Sequence, residues 1–222
     1  MNVLVVAAHP DDEVLGCGGA MARHADQGDR VDVLILGAGA LSRDHATPAD
    51  VEALRAQARD AGRILGAREV RVSDFPDNRF DSVDLLDIVK RVEEEVRRAS
   101  PDVLYTHHGG DLNVDHRRTF EAVITACRPQ GAMGVRRILS YEVPSSTEWL
   151  ASTAALPFVP NVFVDVAASL GRKLEALQAY VGEVRDFPHP RSIDGVKALA
   201  AWRGATSGMA AAEAFMLVRE RV

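Results

Sequence analysis

Residues 2–16 read NVLVVAAHPDDEVLG. Six consecutive apolar residues, Val3 to Ala8, make a short run rich in valine, the pattern of a strand buried on both faces. The run stops at His9-Pro10-Asp11-Asp12-Glu13, and Val14–Gln27 continues with helical character. A buried strand feeding directly into a helix is the opening of a βαβ unit. In open sheets built from such units, ligands bind beyond the carboxyl ends of the strands. The fold therefore aims an imidazole and three carboxylates at the expected site. A dinucleotide site would need G-x-G-x-x-G in this turn. Gly16, Gly18 and Gly19 come too late for that and fall within the helix, where they suit close helix–sheet packing.

The alternation continues along the chain. Strands are predicted at Val31–Gly37, Glu69–Val72, Val103–Thr106, Ile138–Val143 and Asn161–Val166. Helices are predicted at Pro48–Leu65, Ser82–Ala99, Asp115–Cys127 and Ser169–Val181. Thr47 reads as an N-cap with Pro48 at the first helical position. After Phe187-Pro-His-Pro-Arg-Ser192, a last helical stretch runs to the C-terminus. These elements predict an α/β, Rossmann-like fold in one domain, residues 1–222. Its sheet is mostly parallel with helices on both faces, and its C-terminal third is irregular.

The bulk composition narrows the function classes. A net charge of −6 argues against a nucleic-acid or anionic-membrane partner. The 47% apolar content holds no run of about 18 residues that would span a bilayer. Two cysteines, Cys17 and Cys127, lie in apolar or helical surroundings and point to a reducing, cytoplasmic setting. Cys17 lies one helical turn beyond Asp12–Glu13, faces packing, and stays outside the expected site.

The knot after the first strand suits metal chemistry. An imidazole three residues before a carboxylate can place both groups on one ion. A third ligand is found after Val103–Thr106, where residues 107–117 read HHGGDLNVDHR. His116, at the start of the following helix, completes a His9/Asp12/His116 set with a fourth position open for water. Asp11, beside Asp12 and pointing elsewhere, is the candidate general base. One Asp-rich turn before a helix is equally an N-cap. Two His/Asp-rich loops after two strands of one sheet argue for a metal site.

These two segments resemble the PIG-L/LmbE-like family of zinc-dependent N-deacetylases. The A-H-P-D-D-E hallmark stands at Ala8–Glu13, and the second motif ends at Asn113-Val114-Asp115-His116. The resemblance implies a Rossmann-like fold and Zn2+, or another divalent transition metal, on His9, Asp12 and His116, with Asp11 as base. It also implies removal of an acetyl group from a small amino sugar or sugar conjugate, and self-association as a homo-oligomer. Better-known members begin the second motif with a histidine that assists as acid or oxyanion stabiliser. Here that position is Asn113, whose amide hydrogen-bonds an oxyanion but supplies no proton at neutral pH. His107, His108 and His189 are the replacement candidates. Consecutive strand residues face opposite ways, so at most one of His107 and His108 faces the metal unless the strand has already ended.

Asp115 is expected to orient a histidine from behind. Glu13 has no assigned role. Arg43, Asp77, Arg79, His189 and Arg191 are expected to meet substrate, and Trp149 either stacks on a sugar or plugs its loop onto the core. Three other functions fit the same residues: an amidase for a non-sugar N-acyl metabolite, a nucleotide-sugar-binding transferase, and a metal-binding protein without catalysis.

Overall fold

Alternation along the first strand divides the core in two. The computed structural model describes residues 1–39, 47–130, 134–150 and 156–222. In strand β1 (Asn2–Ala7), Val3, Val5 and Ala7 face helices α1 (Asp12–Asp26), α2 (Pro48–Leu65) and α5 (Leu170–Ala179). Leu4 and Val6, with Ala8 just beyond the strand, face α3 (Leu85–Ala99) and α4 (Val114–Ala126). All six residues are fully buried, as expected for a strand covered on both sides.

The remaining strands are β2 (Arg30–Gly37), β3 (Glu69–Phe75), β4 (Val103–His107), β5 (Arg137–Tyr141), β6 (Val162–Asp165) and β7 (Ala212–Glu220). They form one sheet in the order β3-β2-β1-β4-β5-β7-β6. The first five strands are mutually parallel, and β7 runs antiparallel to both β5 and β6. This is the mostly parallel sheet with helices on both faces that the alternation predicts. α2 begins as its sequence indicates: Thr47 Oγ1 accepts the Asp50 N–H, and Pro48 stands at the first position. The predicted helix from Ser82 instead starts at Leu85, behind a 3₁₀ turn at Phe80–Ser82.

One expectation is overturned. The C-terminal stretch is not helical throughout: α6 (Ile193–Ala205) gives way to β7, which fills the slot between β5 and β6. AEAFMLVRE is rich in good helix formers, but two waiting strand edges outweigh local propensity. The strand also delivers Glu213 into the interior. There its carboxylate accepts the Gly19 and Ala20 N–H groups and pairs with the buried Lys173 at 2.6 Å.

The glycines of α1 serve packing. A Cβ on Gly16 would lie 2.3 Å from Tyr141 Cδ2, and one on Gly19 would lie 2.8 Å from Val166 Cγ1. The Tyr141 ring cannot easily withdraw, because its hydroxyl donates to the Val6 carbonyl and the His107 ring packs beside it, tilted, at 4.9 Å. Gly16→Ala is therefore expected to destabilise the fold by about 1–3 kcal/mol. Thermal denaturation should show a midpoint lower by about 2–4 °C per kcal/mol; an unchanged midpoint would mean that the ring yields.

Candidate active site

β1 and β4 are neighbours, with Val6 paired to Thr106, so their carboxyl ends release their loops side by side. The Ala8 N–H donates to His107 Nε2 at 2.8 Å and ties the two exits together. Beyond it the chain turns sharply. Asp11 has φ 102°, a left-handed conformation that a non-glycine residue adopts only where its surroundings impose it. The turn separates the two aspartates. The Asp12 carboxylate folds back to accept the His9 N–H at 2.9 Å, whereas Asp11 Oδ2 meets the Arg191 guanidinium at 2.8 Å.

His9, Asp12 and His116 come together, each offering one ligand atom, all within 4.8 Å of one another. Asp12 Oδ2 lies 3.2 Å from His9 Nδ1 and 3.2 Å from His116 Nε2. Asp12 Oδ1 and His116 Nε2 are buried with no hydrogen-bond partner. Each histidine is held by a second carboxylate on its other nitrogen. Asp115 Oδ2 stands 2.9 Å from His9 Nε2, and Asp111 Oδ1 stands 3.0 Å from His116 Nδ1. Two imidazoles and a carboxylate, backed by further carboxylates, make a donor set that fits a catalytic zinc or a similar divalent ion. A second, overlapping group (His9, Asp77 and Asp115) shares the first histidine. Its Asp115 accepts the Phe80 N–H through Oδ1, whereas Asp12 Oδ1 and His116 Nε2 have no hydrogen-bond partner, so the first group is the better donor set.

Electrostatics agree with the geometry. Burial opposes charge on His9, but Asp115, Asp12 and Asp77 outweigh it and raise the imidazole to about 10. Burial likewise opposes charge on His116, and Asp12 and Asp111 raise it to about 9. Burial pushes Asp12 up, yet His116 and His107 hold it well below the usual carboxylate range. The cluster is thus a locus that favours positive charge. Burial drives Asp11 the other way, well above the usual range; Arg191 opposes the rise, while Asp12, Glu183 and Glu13 add to it. Glu13 is lifted to about 7 by burial and takes a hydrogen bond from the Tyr180 hydroxyl. Its other oxygen accepts the Asp11 N–H at 3.2 Å, so it braces the turn.

The remaining expected residues are distributed as follows. Asn113 is the N-cap of α4: its side-chain oxygen accepts the Asp115 N–H at 2.8 Å, and its amide donates to Asn78 at 3.0 Å. His107, the last residue of β4, is buried and stacked on His116 at 3.9 Å. His108, beyond the strand end, turns to the Leu156 carbonyl at 2.9 Å and stands edge-on to Phe158. Asp77 is buried, with Oδ1 3.2 Å from His9 Nε2, and Arg79 is exposed beside it. His189 accepts the Arg191 N–H and meets the edge of the half-exposed Trp149. Arg43 lies outside the described residues. Sequence reasoning gave no role to Asp111. Its carboxylate also accepts the hydroxyls of Ser146 and Thr147 and the Asn113 N–H. The last bond spans two residues, an Asx-type turn that DLN spells out and that could have flagged it.

The chain matches the family model described as "PIG-L: GlcNAc-PI de-N-acetylase" over residues 4–127, which contain both loops. It is 32% identical over 170 residues to the uncharacterized deacetylase YaiS of Escherichia coli K12, covering 74% of this chain and 82% of that one. It is 27% identical to a probable N-acetyl-α-D-glucosaminyl L-malate deacetylase of Bacillus cereus, covering 81% of this chain and 82% of that one. Among solved structures, it is similar to GalB, the 4-carboxy-2-hydroxymuconate hydratase of Pseudomonas putida KT2440. That match has a TM-score of 0.81 and 25% identity, covering 100% of this chain and 98% of that one. With both motifs inside the matched region and their residues gathered beyond the carboxyl ends of two adjacent strands, the chain belongs to the PIG-L family of hydrolytic N-deacetylases.

Proposed function

We propose that this protein is a zinc-dependent deacetylase that hydrolyses the N-acetyl group of a small amino sugar or sugar conjugate. His9, Asp12 and His116 would hold the ion, and Asp11 would serve as general base. The observation that carries this assignment is the separation of neighbouring aspartates by one left-handed residue. Asp12 faces the two histidines, and Asp11 is kept apart for proton work. The chemistry a zinc ion supplies when held there is Lewis acidity toward water and toward an acyl oxygen.

Asp11 takes the proton from the attacking water. The leaving amine needs a proton in turn. Asn113 has none to give, since a carboxamide releases no proton at neutral pH, and its N–H is already donated to Asn78. Asp11 therefore carries the proton onward to the amine. Asp77 and Arg79, just beyond the carboxyl end of β3, would hydrogen-bond sugar hydroxyls, and Trp149 would stack on the sugar. Cytoplasmic residence accords with two buried free thiols, Cys17 and Cys127. No helix among the described residues is long and apolar enough to cross a membrane.

One specific likeness favours a second activity, hydration of an unsaturated carboxylate: the full-length match to GalB. A single panel separates the two. Purified protein, zinc-loaded or chelated, is assayed for acetate release from N-acetylglucosamine conjugates and for hydration of 4-carboxy-2-hydroxymuconate. Metal-dependent acetate release is the expected result. Hydration without acetate release would establish the second activity instead, and acetate release without metal would sink the zinc assignment.

A further inference from the structure

Arg191 reaches the site from a segment 180 positions away in sequence and touches the candidate base rather than open solvent. Its Nη1 donates to Asp11 Oδ2 at 2.8 Å, and its Nε donates to Ser145 Oγ at 2.7 Å. The side chain is less than a quarter exposed. The segment is braced locally. The His189 N–H donates to the Asp186 carbonyl, the Arg191 N–H to His189 Nδ1, and the Ser192 N–H to the His189 carbonyl. Ser192 then caps α6 through the Gly195 N–H. On the far side, the backbone of Asp11 is fixed by Glu13 Oε2 and by the first turn of α1, whose Val14 and Leu15 N–H groups bond its carbonyl. Glu13 and α1 thus hold the backbone of Asp11, and Arg191 holds its carboxylate. A charge-assisted bond to one carboxylate oxygen restrains the orientation of the group and leaves the other oxygen for a proton.

We propose that Arg191 is a positioning residue for Asp11, aligning its carboxylate for both proton transfers, and that the 186–192 segment exists in part to deliver it. The proposal rests on the deacetylase assignment for the reaction, but not for the contact itself. Arg191 would be needed here because a single carboxylate must accept and then return the proton. Small errors in its orientation would then cost both steps.

The test is a double-mutant cycle on the zinc-loaded enzyme. Arg191→Ala is expected to lower kcat about 10- to 100-fold, with little change in KM and one equivalent of metal retained. Arg191→Lys, or added guanidinium ion, should restore part of the rate. In the Asp11→Asn background, Arg191→Ala should cost nothing further. The same fold-loss in both backgrounds, or a rise in KM with kcat intact, would overturn the proposal in favour of a loop clamp or a substrate contact. A readout independent of turnover is amide hydrogen exchange, in which Asp11→Ala, which removes the acceptor altogether, should loosen the 186–192 amides with metal content unchanged. Unaltered exchange there would overturn the proposal even if no substrate is found. Failure of the wild-type enzyme to release acetate would instead count against the deacetylase assignment alone.

Discussion

Asp11→Asn is expected to lower kcat by about two to four orders of magnitude, the usual share of a positioned general base. Metal content should not change. The asparagine keeps the volume of the side chain and an oxygen able to accept from Arg191, and Asp11 is absent from the His9/Asp12/His116 group. What disappears is the capacity to take up a proton. Metal analysis after gel filtration, alongside steady-state kinetics, separates this effect from damage to the site. Near-full activity with metal bound would mean that another group is the base.

His116→Ala is expected to abolish measurable turnover and to weaken metal binding by more than the roughly 10- to 100-fold typical of losing an outer partner. The imidazole is one of the three side chains proposed to hold the ion, and its removal leaves Asp12 and Asp111 on either side of a gap in the interior. Asp111→Asn provides the graded comparison. Its carboxylate holds Nδ1 of the same histidine, so its loss should fall within that 10- to 100-fold range and leave residual activity. Titration of the apo proteins with zinc measures both. Stoichiometric, tight zinc in His116→Ala would remove that residue from the ligand set. Equal losses in the two variants would make Asp111 more than an outer partner.

The contrast between Asp111 and Asp115 shows where sequence reasoning stops. Both aspartates stand in one stretch of eleven residues, 107–117, and letters alone do not say which histidine each one meets. Asp115 was expected behind a histidine, and its carboxylate lies 2.9 Å from His9, supplied by the other loop. Asp111 reaches His116 because the loop curls back through the Asn113 N–H and is tied to Ser146 and Thr147 beyond β5. The two adjacent histidines behave similarly. Strand alternation says that at most one points inward while β4 lasts. β4 ends at His107, which is buried against His116, and His108 leaves toward Leu156.

Local patterning was enough to reveal the buried first strand, the alternation that makes an α/β sheet, and the two segments that carry the imidazoles and carboxylates. These are local properties: hydrophobic period, a cap at Thr47, and residues adjacent in the chain. Tertiary structure alone decided three other features. The C-terminal AEAFMLVRE became a strand because two edges, β5 and β6, were open to it. The glycines of α1 became contact points because Tyr141 and Val166 press on them. Arg191 became the partner of Asp11 although 180 positions separate them. Each depends on which surfaces a folded chain brings within a few ångströms, and neither periodicity nor propensity carries that information. The HPDDE knot therefore declares its chemistry in the sequence, and the rest of the chain decides how its carboxylates are held.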